Sequence, residues 1–113
     1  MPHHAEYPDF LTSLPEIDLP VAGIRAWLSQ GPDHQVVFFE MDTTERIPLH
    51  HHGEQWGVVV EGRMELTIGG ETRVYGPGDS YHIPAGVDHG ARFLTRVRAI
   101  DVFADRDRYS AAK

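Results

Sequence analysis

At 113 residues the chain has the length of one domain, able to bury a core but only modestly stable alone. One Lys and nine Arg stand against 17 acidic residues, and a net charge of −7 argues against nonspecific binding to nucleic acid or acidic lipid. There is no cysteine, which excludes disulfides and thiolate ligands, and no apolar run of membrane-spanning length.

Residues 1–20 are rich in Pro and acidic groups and read as an extended arm, with a helical turn expected near residues 10–14. His3 and His4 fit a tag or a loose tail. The start is neither basic nor apolar enough for a signal peptide, so a soluble cytoplasmic protein is expected. From Ile24 onward, short strands alternate with turn signals. Strands are expected at residues 24–29, 34–41, 47–51 and 55–60, with a turn at Gln30-Gly31-Pro32-Asp33 after the first. Met64, Leu66 and Ile68 alternate with Arg63, Glu65 and Thr67, which marks a half-buried strand. Gly69-Gly70 is a strong hairpin signal, and residues 71–75 return. After Gly76-Pro77-Gly78-Asp79 come strands at 80–84, 89–94 and 97–103. Nine short strands without a long helix predict an all-β, antiparallel small barrel or jelly roll over residues 21–113.

His50, His51 and His52 sit just ahead of Gln55, and His89 lies far downstream. Alternate side chains of a strand share one face, so His50 and His52 converge while His51 points away. Two imidazoles, a side-chain oxygen and a distant third imidazole suit a divalent metal such as Zn, Ni, Fe, Mn or Co.

Gly78-Asp79-Ser80-Tyr81-His82-Ile83-Pro84-Ala85-Gly86-Val87-Asp88-His89 resembles the second motif of the cupin superfamily, and residues 48–62 resemble the first. The resemblance implies a single-domain cupin with His50, His52, Gln55 and His89 as metal ligands. Only Gly53 and Glu54 separate His52 from Gln55, a shorter spacing than the family's, which leaves Glu54 and His51 as alternatives to Gln55. Thr44 stands where the family usually has glycine. Gln rather than Glu makes the ligand set neutral, which favours a Lewis-acid role over an iron oxygenase built on two histidines and a carboxylate. Gly57 shares parity with Gln55 and is expected to leave room beside the metal.

Val97, Ala99, Asp101 and Phe103 share one face of the last strand, so Asp101 is expected to point inward. A buried carboxylate is costly unless paired or functional. An Asp-Val-Phe segment followed by Arg and Tyr, in a cupin with Gln in its first motif, resembles the KdgF family, which promotes ring opening of 4,5-unsaturated uronates. That resemblance implies active-site roles for Asp101, Phe103 and Arg106, with Arg108 as the alternative to Arg106. The expected activity is a metal-dependent, non-redox lyase- or isomerase-like step on a small, anionic sugar acid. The rivals are a metal-dependent dioxygenase and a non-catalytic ligand-binding module. A homodimer is expected, formed through the arm or an edge strand. Trp27, Trp56 and Tyr75 read as packing or dimer contacts, Met41 and Met64 as core, His82 as structural or solvent-facing, and Arg92, Arg96 and Arg98 as solvated rim or interface charges.

Overall fold

The computed structural model describes residues 6–42 and 45–111. His3, His4, Thr44 and Lys113 lie outside the described residues. Among the described residues, a single helical turn, α1 (Asp9–Thr12), precedes nine strands. They are β1 (Ile24–Gln30), β2 (Gln35–Met41), β3 (Arg46–His50), β4 (Gln55–Glu61), β5 (Met64–Ile68), β6 (Glu71–Tyr75), β7 (Ser80–Ile83), β8 (His89–Phe93) and β9 (Val97–Phe103). Each strand lies within one residue of its expected bounds.

All pairings are antiparallel, in a five-stranded sheet of order β1-β2-β9-β4-β7 and a four-stranded sheet of order β3-β8-β5-β6. No ladder joins the two sheets among the described residues, and they form the two layers of the expected jelly roll. Alternation aims Met41, Val59 and Tyr81 of one sheet at Met64, Leu66 and Phe93 of the other, and these form the main core. A second cluster, Ile17, Ala26, Leu28, Val37 and Phe103, closes the other end. Gly69 and Gly70, with φ of 56° and 82°, turn β5 into β6 in the left-handed backbone that a two-residue hairpin requires.

One surface expectation is corrected. Arg98 is not on a solvated rim; it is buried at 3 % exposure. It sits on the outward face of β9 between Glu40 of β2 and Glu61 of β4. Its guanidinium donates to Glu61 Oε1 at 2.6 Å and to Glu40 Oε2 at 3.3 Å. A register shift between Val59 and Glu61 brings Glu61 opposite Arg98, and the paired carboxylates are what permit burial of the charge. Arg92 and Arg96 are exposed, with Arg96 reaching Glu40 at 3.4 Å. Trp27 is packing: it is buried and meets Tyr7 edge-on at 6.2 Å.

After β9 the chain leaves the sheet and folds back as a strap, residues 104–111. The Ala104 N–H donates to Glu54 O at 2.9 Å, and the Gly53 N–H donates to Asp105 Oδ2 at 3.0 Å. Ala111 ends the strap in an isolated bridge to Ile17.

Candidate metal centre

β3 stops at His50, which lies opposite His89 at the start of β8. His52 is therefore not on the strand, and strand parity is not what aligns it with His50. The chain bends after His50, and the bend is held by the Gly86 N–H donating to His52 O at 2.9 Å. The three rings nonetheless converge, with centroids 4.3 Å apart for His50–His89, 4.7 Å for His52–His89 and 5.3 Å for His50–His52. One ring nitrogen from each lies within 4.8 Å of the others.

The hydrogen bonds of the rings fix which nitrogens face inward. His50 Nδ1 meets Pro48 O at 2.9 Å, His52 Nδ1 meets Gly53 O at 2.8 Å, and His89 Nδ1 meets Val87 O at 3.0 Å. A carbonyl only accepts, so each Nδ1 carries the proton and each Nε2 presents a lone pair. His52 Nε2 and His89 Nε2 then face each other at 3.1 Å. Two lone pairs at that distance repel unless a cation lies between them. Burial lowers the pKa of both rings, with lesser lowering from Arg108 and the neighbouring imidazoles, so both are neutral near pH 7. The donor set fits a divalent metal ion of the kind that imidazole binds.

Glu54 and His51 turn outward. Glu54 Oε2 pairs with His82 Nε2 at 2.6 Å and His51 Nδ1 with Asp88 Oδ1 at 3.3 Å, all on exposed side chains. Gln55 opens β4 on the inner face, and its Nε2 donates to Asp101 Oδ1 at 2.9 Å. That bond sets the orientation of the amide, leaving Oε1 as its remaining donor of lone pairs in the cavity that the three histidines line.

Asp101 occupies the middle of the five-stranded sheet, opposite Val37 on one side and Gly57 on the other. It is 3 % exposed, and the same Oδ1 also accepts the Tyr81 hydroxyl at 2.7 Å. Burial pushes its pKa up from 3.8 to about 6, against the lowering effect of the Tyr81 and Gln55 hydrogen bonds. Gly57 makes this arrangement fit. A Cβ there would collide with Asp101 Oδ1 and with Cζ and the hydroxyl of Tyr81. The room it leaves is taken by the Asp101–Tyr81 bond.

These groups share a cavity of about 1180 Å³ between the sheets. Phe103 walls it, with its ring 5.6 Å from that of His52. Arg108 and Tyr109 enter it from the strap, while Arg106 is exposed and absent from the wall. The parity of β9 ends at Phe103, so the strap, not a strand, decides which arginine turns inward. The Arg108 guanidinium lies 4.6 Å above the Tyr109 ring, and no carboxylate pairs with it among the described residues. Sequence reasoning does not single out Tyr81. The available signal is its parity with Ile83 on β7, which turns a phenol inward where its hydroxyl needs a partner.

A two-sheet jelly roll with an inward cluster of three histidines that can hold a metal ion defines a class of small metal-binding β protein. The chain belongs to the cupin family: residues 37–103 match the family model described as "Cupin domain". It is similar to the H2HPP isomerase of Bacillus subtilis, 36% identical over 84 residues that make up 71% of this chain and 36% of that protein. It also matches the mannose-1-phosphate guanylyltransferase ManC of Salmonella typhimurium, of whose length it spans only 9%. Among solved structures, KdgF from Halomonas sp. superposes with a TM-score of 0.70 at 31% identity, covering 77% of this chain and 83% of that one. An RmlC-like cupin from Shewanella frigidimarina superposes at 0.73 and 27% identity, covering 90% of each chain. No helix among the described residues is long and apolar enough to cross a membrane.

Proposed function

We propose that this protein is a metal-dependent, non-redox enzyme that moves a proton on a small sugar acid, with ring opening of a 4,5-unsaturated uronate as its reaction. One observation carries the reading: three imidazole lone pairs, a buried carboxylate and a guanidinium with no carboxylate partner among the described residues converge on one cavity. The likeness to KdgF supports the substrate, and the likeness to an isomerase supports non-redox chemistry.

His50, His52, His89 and the Gln55 amide oxygen would hold the metal, which when bound supplies Lewis acidity toward a substrate oxygen. Neutral ligands would leave its full charge available. Asp101 holds or releases the transferred proton at Oδ2, because Oδ1 is occupied by Tyr81 and Gln55. Arg108, rather than Arg106, binds the substrate carboxylate. Phe103 excludes water from the side of the ring. A homodimer belongs to the same proposal and is checked by light scattering.

The experiment is to load the protein with Zn, Ni, Fe, Mn or Co in turn, add 4,5-unsaturated galacturonate and follow ring opening by NMR. The expected result is a rate above the spontaneous one that disappears in Asp101→Asn. A rate equal to the spontaneous one with every metal overturns the reading. Oxygen uptake with the substrate identifies a dioxygenase instead, and tight binding without turnover identifies a binding module.

A further inference from the structure

Gln35 is fully buried, on the inner face of β2 in a row that continues as Val37, Phe39 and Met41. Its neighbour across the sheet is Phe103. Nothing in that apolar row requires an amide, and a buried amide is costly unless its groups are satisfied. Every polar group of Gln35 is satisfied, and the partners are informative. Its Oε1 accepts the Tyr109 N–H at 2.9 Å. Its Nε2 donates to Tyr109 O at 2.8 Å and to Gln30 Oε1 at 2.8 Å. Gln30 Nε2 in turn donates to Arg106 O at 2.8 Å.

Two side-chain amides therefore do for the strap what a strand edge does for a neighbouring strand. The strap crosses the cavity outside both sheets, and its backbone groups need partners from elsewhere. The Tyr109 N–H belongs to the peptide that joins Tyr109 to Arg108, so the clamp on Tyr109 fixes that peptide plane. The Tyr109 ring is then wedged edge-on against Phe103 at 5.3 Å and Phe39 at 6.1 Å. Over this ring lies the Arg108 guanidinium, whose Nε is buried and makes no hydrogen bond. The arginine is held by stacking and by its own backbone, with no acid paired to it among the described residues. Its orientation is inherited from Tyr109, and that of Tyr109 from Gln35.

We infer that Gln35 is a positioning residue that, through Tyr109, aims Arg108 at the anionic group of the bound acid. The inference rests on the proposed role of Arg108 but not on the identity of the acid. It separates two functions within one cavity: the histidines select for a metal, and the amide clamp sets the distance from that metal to a fixed cation. A polar residue that would otherwise read as an anomaly of the core becomes part of the recognition of the substrate.

The test uses oxalate, which needs only a metal ion and a cation and contains no sugar. A failure of the uronate reading therefore leaves the test intact. Binding of oxalate to the Zn-loaded full chain is measured by calorimetry in a double-mutant cycle of Gln35→Met and Arg108→Met. Gln35→Met is expected to weaken oxalate about tenfold in the parent, to change it less than about twofold in the Arg108→Met background, and to leave Zn affinity unchanged. Equal weakening in both backgrounds would mean that Gln35 acts only on the fold and overturns the inference. So would unchanged oxalate affinity, or a parent that binds Zn but no oxalate. If Gln35→Met does not fold, Gln30→Leu at the exposed end of the clamp takes its place in the cycle. It is expected to weaken oxalate about threefold, with the same dependence on Arg108, and equal effects in the two backgrounds overturn the inference.

Discussion

Replacing Asp101 with Asn removes the ionisation but keeps an oxygen for Tyr81 and Gln55. In the parent, burial raises the pKa of Asp101 from 3.8 to about 6. The folded state thus holds this proton to a higher pH than the unfolded chain does. The stability that Asp101 contributes is full below about pH 3.8 and is lost as pH rises through about 6. A difference of about 2 in pKa corresponds to about 3 kcal/mol, of which more than about 2 falls between about pH 4 and pH 8. A 113-residue domain has a total stability of roughly 5–15 kcal/mol, so the effect is large. The assay is urea denaturation of the metal-free parent and of Asp101→Asn at several pH values, read as the difference between them so that other titrations cancel. The variant is expected to gain on the parent by that amount as pH rises. A difference that stays constant, or that moves the other way, refutes the account of Asp101 as a carboxyl kept unstable by burial.

Three further outcomes follow from the same geometry. Gly57→Ala forces a Cβ onto Asp101 Oδ1 and the Tyr81 hydroxyl, and is expected to destabilise the fold by about 1–3 kcal/mol, measured by the same denaturation. His89→Ala removes one of three convergent ring nitrogens and is expected to weaken Zn or Co binding by about 100-fold or more in chelator competition, whereas His51→Ala changes it little. In the parent, proton competition for His52 and His89 should end at lower pH than for a free imidazole, because burial lowers the pKa of both rings. A steady rise in metal affinity continuing well above pH 7 would contradict neutral, preorganised imidazoles.

Much of this architecture is legible in the chain because short-range signals decide it. The alternation of Met64, Leu66 and Ile68 and the Gly69-Gly70 turn are local, and the strands fall where they predict. The inward aim of Asp101 and Phe103 follows from one strand's parity. What escapes depends on partners distant in sequence. Arg98 looks like a solvent-facing charge until Glu40 and Glu61 arrive from two other strands. Tyr81 looks like core until it meets Asp101, 20 residues on. His52 reaches His50 by a bend instead of along a strand. Arg106 and Arg108 cannot be told apart by parity, because the chain has left the sheet, and long-range bonds to Gln30 and Gln35 set the path of the strap.

The cavity between the sheets also bears on how a ligand could be found. A core divided around about 1180 Å³ of open space forgoes packing that a filled one would have. Any molecule that occupies the space binds the folded chain and not the unfolded one, so it shifts the folding equilibrium directly. At 100 times its Kd a ligand adds about 2.7 kcal/mol. In a domain of this size that moves the melting temperature by about ten degrees. Thermal melting of the metal-loaded protein across a library of small acids would therefore rank candidate substrates without an enzymatic assay, with the chain acting as its own indicator of occupancy.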